Sequence, residues 1–208
     1  LFSGRQRWRP QELELVGELI GKDICGVSVG AKHYAALSIH GDLYMWGDNE
    51  FGQQGVRSHP PKVQPYQAVP SEDDEEGTVS SVAAIKPDPI RFDTFAPHIV
   101  PLGGAVVHSV ACGKNHTLCA TVSGALFAWG RNTRGQLGLG DTAQRTEPTP
   151  VAALRGTPVI IIACGPHTSA AYTASGKLYM WGQNDSYQLG INHTRQARSP
   201  QLVYSSFV

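Results

Sequence analysis

One short pattern occurs three times along this chain, and an internal repeat constrains the fold more tightly than any single residue. Gly30-Ala31-Lys32-His33 leads to Gly41, then to Leu43-Tyr44-Met45-Trp46-Gly47, Asn49 and Gly52-Gln53-Gln54-Gly55. Gly113-Lys114-Asn115-His116-Thr117 leads to Gly124, then to Leu126-Phe127-Ala128-Trp129-Gly130, Asn132 and Gly135-Gln136-Leu137-Gly138. Gly165-Pro166-His167-Thr168 leads to Gly176, then to Leu178-Tyr179-Met180-Trp181-Gly182, Asn184 and Tyr187-Gln188-Leu189-Gly190. Each unit ends on a Pro-x-x-Val segment: Pro97 to Val100, Pro148 to Val151, and Pro200 to Val203. Gly138 to Pro148 and Gly190 to Pro200 are both 10 positions, whereas Gly55 to Pro97 is 42. The first unit is therefore an ordinary one with about 32 extra residues in a single loop.

The aromatic runs are short, bounded by glycines and apolar throughout, which reads as strand rather than helix. Alternation places Leu43 and Met45 on one face and Tyr44 and Trp46 on the other. With both faces apolar, such strands are expected to lie between two layers. Residues 106–112 and 159–164 read as a preceding strand, and 116–122 and 167–173 as the next. The Asn-x-x-Gly-Gln-Leu-Gly stretch reads as a turn. The Pro-x-x-Val segment reads as an outer, fourth strand, where proline is tolerated. Four short strands per unit, each unit needing a neighbour on its faces, is the logic of a propeller blade. The expected division is a lead-in at 1–29 that closes a preceding blade, a first repeat at 30–58 and 93–100, an insert at 59–92, and further repeats at 101–151 and 152–208.

At these positions the chain resembles the repeat family named after the regulator of chromosome condensation. The second repeat carries the whole pattern, with Cys112 before Gly113. The first has Val29, Tyr34 and Gln54 at three of its positions, and the third has Tyr187 for a glycine and is one residue shorter before His167. The resemblance implies an all-β fold of propeller blades, typically seven to a ring. Three blades cannot close such a ring, so the remainder is expected from the same polypeptide or from a partner subunit. An opening on Leu1 rather than methionine favours the same polypeptide. The resemblance further implies an intracellular protein, without choosing among cytoplasm, nucleus, cilium and mitochondrion.

Lysine and arginine number 17 and so do aspartate and glutamate, so no global field points to nucleic acid or membrane. No apolar run approaches the ~20 residues that cross a bilayer. The four cysteines have no metal-type spacing; Cys112 and Cys164 hold equivalent repeat positions, which should stand too far apart for a disulfide. Buried free thiols of a reducing compartment are expected. The sequons at Asn115, Asn184 and Asn192 include two inside the motif and read as coincidence.

His33, His116 and His167 invite a metal or catalytic reading. A residue that recurs once per unit answers a folding need, and each imidazole is expected to hydrogen-bond backbone within its own blade. The same structural reading covers Gly30, Gly41, Trp46, Gly47, Asn49, Gly113, Gly124, Trp129, Gly130, Asn132, Gly165, Gly176, Trp181, Gly182 and Asn184. Light sensing through tryptophans, which one plant member of the family performs, needs tryptophans that are absent here: Lys32, Asn115 and Pro166 precede the histidines. No nucleophile–base pair, paired carboxylates or phosphate loop with the full spacing is present, so neither catalysis nor a cofactor is expected. Folding constrains the insert least. It holds Glu72, Asp73, Asp74, Glu75 and Glu76, with Phe92 and Phe95 outside the repeat pattern, and these are the candidate partner contacts. Arg5, Arg7 and Arg9 interleave with Trp8, too few charges for a nucleic-acid site.

The leading expectation is a non-enzymatic interaction scaffold that presents loops on a rigid ring to a protein partner or larger assembly. The alternative, implied by the founding family member, is guanine-nucleotide exchange on a small GTPase. Chromatin or RNA binding ranks third, because the chain is neutral and the insert acidic.

Overall fold

The computed structural model describes residues 17–56 and 96–203. Within them lie twelve strands in three antiparallel sheets of four. The first sheet is β1 (Ile24–Val29), β2 (His33–Ser38), β3 (Leu43–Gly47) and β4 (His98–Ile99). The second is β5 (Val107–Cys112), β6 (His116–Thr121), β7 (Leu126–Gly130) and β8 (Arg145–Pro150). The third is β9 (Val159–Cys164), β10 (Thr168–Thr173), β11 (Leu178–Gly182) and β12 (Ala197–Leu202). Strands follow one another in space as they do in sequence, and short turns join the first three strands of each sheet. The first sheet begins at Ile24, so its first strand falls within the stretch that the repeat boundary at residue 30 leaves in the lead-in.

The second sheet packs between the other two. Strand β5 lies against β1 and β2, and β9 against β5 and β6, so the sheets converge on their first strands and splay at their last. Between sheets one and two, Leu37, Leu43 and Met45 meet Cys119 and Trp129. Between sheets two and three, Leu118, Leu126 and Ala128 meet Ile162, Ala171 and Trp181. Every described seam sets a row of aliphatic residues against the next sheet's tryptophan. Among the described residues, packing on both faces holds only for the second sheet. On the first, Val27 is 73% exposed; on the third, Ile161 is 58% exposed and Tyr172 and Leu178 lie open beside it.

The outer strands start earlier than the Pro-x-x-Val segments suggest, at Arg145 and Ala197. Pro148 and Pro200 fall where pairing is interrupted, between Ala128↔Thr149 and Gly130↔Arg145 and between Met180↔Gln201 and Gly182↔Ala197. A residue without an N–H fits such a place. The valines then close each sheet: the amides of Val100, Val151 and Val203 each donate at 2.9 Å to the carbonyls of Leu43, Leu126 and Leu178.

Candidate interaction site

The motif residues meet at the seams. His33 Nε2 lies 3.1 Å from Thr117 Oγ1 of the next sheet. Thr117 Oγ1 donates at 2.9 Å to the carbonyl of Gln53, which also accepts Trp129 Nε1 at 2.9 Å. The second seam copies the first. His116 Nε2 lies 3.0 Å from Ser169 Oγ, which donates at 2.7 Å to the Gln136 carbonyl, and that carbonyl accepts Trp181 Nε1 at 2.9 Å. The expected bond to backbone within one blade is thus replaced by a bond to a hydroxyl of the neighbouring blade. A hydroxyl has one proton, and here it goes to the carbonyl, so each imidazole donates from Nε2 and keeps its lone pair on Nδ1. Both Nδ1 atoms are buried and have no partner among the described residues. A Cβ on Gly30 would strike the His33 ring and lie 2.7 Å from the Gly113 carbonyl; Gly113 stands likewise against His116 and, at 2.8 Å, the Gly165 carbonyl. Burial holds His33 down at about 4 and His116 at about 3. Protonation would put a second, unmatched N–H inside the seam.

The third histidine departs from this scheme. His33 pairs with Gly47 and His116 with Gly130, whereas it is Thr168 that pairs with Gly182. Gly165 correspondingly packs against the Thr168 hydroxyl. His167 therefore occupies the place of Lys32 and Asn115 and lies half-buried at the end of the sheet. Gly165 to Gly182 is 17 positions, as Gly113 to Gly130 is, so no residue is missing: the seam position holds Thr168 and the histidine stands one place before it.

The remaining motif residues build the turns. The side-chain oxygens of Asn49, Asn132 and Asn184 each accept, at 3.0 Å, the amide of Gln54, Leu137 or Leu189. Their amide groups reach on to carbonyls of Val56, Ala143 and His193. Gly52 and Gly135 have positive φ and abut the next sheet's outer strand, a Cβ falling 2.5 Å from Thr146 Cα and 2.8 Å from Arg198 Cα respectively. Tyr187 takes the same conformation (φ 57°) in the third turn. Gly41 and Gly124 touch the start of the following sheet, whereas Gly176 meets only the Tyr172 hydroxyl at 3.7 Å. Gly47, Gly130 and Gly182 lie against the backbone before the second strand of their sheets. Trp46 stacks on Tyr34 with 5.6 Å between ring centres.

At the converging edge runs a groove of about 450 Å³ lined by Gly30, Gly113, Gly165, Cys112 and Cys164. The two cysteines border one groove and are free of disulfides, as are Cys25, which is exposed, and Cys119. Burial pushes the Cys112 thiol up to about 11, and the Cys119 and Cys164 thiols higher still, which disfavours the nucleophilic thiolate. Among the described residues no three His, Cys, Asp or Glu side chains gather as metal ligands, and no helix is long and apolar enough to cross a membrane. Glu72 to Glu76, Phe92 and Phe95 lie outside the described residues. One cluster is not among the sequence candidates: the charges of Lys114, Arg131 and Arg134 all bear on His167, with Asp185 opposing them. Its signal in the sequence is Arg131, which stands where the first repeat has Asp48 and the third Gln183.

Models of the regulator of chromosome condensation (RCC1) repeat match residues 123–172 and 175–207, and, in a second form, 24–53, 107–136 and 159–188. The chain belongs to the RCC1 repeat family. Its three sheets are RCC1-type propeller blades. The chain is 33% identical over 178 residues to the X-linked retinitis pigmentosa GTPase regulator of Canis lupus familiaris, covering 85% of this chain and 15% of that protein. It is 32% identical over 208 residues to the ultraviolet-B receptor UVR8 of Arabidopsis thaliana, covering 99% and 40%. Human WBSCR16 superposes with a TM-score of 0.67 at 25% identity, covering 88% of this chain and 40% of that one. Prp20p of Saccharomyces cerevisiae, studied with its binding to Gsp1p and histones, superposes at 0.64 with 23% identity, covering 88% and 39%. This RCC1-repeat chain thus spans at most 40% of each of these proteins.

Proposed function

We propose that the chain is a non-enzymatic part of a protein-interaction platform whose variable end loops contact a protein partner or a larger assembly. One observation carries this reading. At the two described seams the motif's imidazoles, hydroxyls, indole N–H groups and turn carbonyls are bound to one another, and Gly30, Gly47, Gly52, Gly113, Gly130 and Gly135 are closed by neighbouring backbone. What differs between blades, and so can be read by a partner, lies on the loops. The open outer faces of the first and third sheets suit further blades, from the same polypeptide or a partner subunit. The acidic run 72–76 with Phe92 and Phe95 is a second candidate contact, and deleting residues 62–92 is expected to leave the three sheets folded.

Two relatives favour one second reading, exchange of guanine nucleotide on a small GTPase: one is a GTPase regulator, and Prp20p was studied with Gsp1p. An exchange factor shifts a population by preferring the nucleotide-free GTPase. Release of a fluorescent guanine nucleotide from candidate GTPases, followed with and without the chain, separates the two. The platform reading expects binding to a partner that loop substitutions weaken, with the release rate unchanged. Accelerated release, together with a nucleotide-free complex that GTP dissolves, would replace it by the exchange reading.

A further inference from the structure

We propose that the end of the second blade formed by Lys114, Arg131 and Arg134, with His167 beside them, docks a carboxylate-rich segment of a protein partner; this gives the platform reading a partner chemistry and rests on that reading. The argument begins with a turn that has lost an acceptor. In the first blade the Gln53 side-chain amide donates to Asp48 Oδ2 at 3.0 Å. In the third, Gln188 donates to Asp185 Oδ1 at 3.1 Å. The second blade holds Gln136 in the same way, its Oε1 accepting the Arg134 amide at 2.8 Å just as Gln53 and Gln188 accept theirs. Yet Gln136 Nε2 is buried and has no partner among the described residues. The place of Asp48 belongs to Arg131, and that of Asp185 to Thr133. Leaving a buried amide unpaired does not help a protein to fold. An exchange that harms the turn and adds a surface cation points to a role outside the turn.

The cation has company. Arg134 lies on the same turn. Lys114 is on the adjoining one, and its amide donates to the Pro166 carbonyl at 3.3 Å, which fastens it beside His167. Arg131 is held in place, its guanidinium carbon 4.7 Å from the centre of the Phe51 ring and its Nε donating to Thr133 Oγ1 at 3.2 Å. A guanidinium has further N–H groups, which suit a carboxylate. Among the described residues none of the three cations forms a salt bridge. Burial, and then the fields of Lys114, Arg131 and Arg134, hold the His167 imidazole below its ordinary range. The carboxylates of Asp48 on one side and Asp185 on the other limit the cluster to the second blade. A patch so bounded suits a short acidic segment better than a nucleic-acid backbone, which needs a continuous positive track.

The test is fluorescence anisotropy of a fluorescein-labelled octaglutamate peptide against the full chain at low ionic strength, with octaglutamine as the neutral control. Binding is expected for the acidic peptide alone and should weaken as salt is added. Arg131→Asp should lower the affinity about tenfold or more, while the variant melts at the same or a higher temperature, because the new carboxylate restores the acceptor of Gln136. Arg134→Gln leaves that turn untouched and should weaken binding about threefold. A wild-type chain that ignores the peptide, variants that bind it undiminished, or a single-stranded oligonucleotide bound more tightly than the peptide would each overturn the site. A protein partner that binds wild type and Arg131→Asp equally would remove this site and leave the platform reading standing.

Discussion

The histidines at the seams are neutral by construction. Each gives its Nε2 proton to a hydroxyl whose own proton is already committed, and the ring's other nitrogen faces glycine backbone. Heteronuclear NMR should therefore find His33 and His116 as Nε2–H tautomers at neutral pH, and a δ tautomer for either would contradict the seam geometry. The pH dependence follows. Both groups titrate lower in the folded chain, at about 4 and about 3, than the ordinary 6.5 of the unfolded one. Between those values the unfolded state binds more protons, so stability is whole above pH 6.5 and falls as pH drops toward 4 and then 3. Each histidine contributes about 1.4 kcal/mol of loss per pH unit within its window. Denaturant midpoints measured from pH 7 to 4 should fall steadily. Replacing His116 by Gln, which can still donate, should flatten the fall, whereas an unchanged slope would place its origin elsewhere.

At the scale of strands and turns, much was legible because glycine punctuates the chain. The aromatic runs between Gly41 and Gly47, Gly124 and Gly130, and Gly176 and Gly182 mark β3, β7 and β11, and the turns after them follow from Asn and Gly chemistry. Two things were not legible. His167 matched the other histidines by residue type, but its register is set by the strand opposite, where Gly182 pairs with Thr168. The seam bonds link residues 84 and 53 positions apart, and nothing local in the sequence joins His33 to Thr117 or His116 to Ser169. The cluster of Lys114, Arg131, Arg134 and His167 is hidden for the same reason: three separate turns bring it together. A paired substitution tests how the glycines work. Gly124 and Gly176 hold the same repeat position with φ of 81° and 76°. Gly176→Ala should cost only the left-handed backbone, about 1–2 kcal/mol. Gly124→Ala should cost about 1–3 kcal/mol more, because its Cβ would lie 2.8 Å from Pro158 Cα and force two sheets apart. Equal losses in thermal melts would show that the seam yields easily there.

For the molecule as a whole, the seams impose direction. The row Ala111, Leu118, Ala120, Leu126 and Ala128 is buried against the third sheet, and the equivalent positions there include the exposed Tyr172 and Leu178, with exposed Ile161 paired to Tyr172. An apolar sheet face of this kind associates in water. Light scattering from the chain should rise with concentration, and Ile161→Glu should suppress the rise without lowering the melting temperature. Concentration-independent scattering of the wild type would mean that this face is already satisfied.

The acceptor at each seam is a main-chain carbonyl, that of Gln53 or Gln136, and the bridging hydroxyl is threonine at one seam and serine at the other. Main chain is inherited unaltered whatever side chain mutation writes on it. A stretch of coding sequence copied once and placed after itself thus yields a blade whose neighbour already offers the acceptor it needs. Lineages can multiply such units first and diversify their loops afterwards, which makes the seam the conserved grammar of the repeat and the loops its vocabulary.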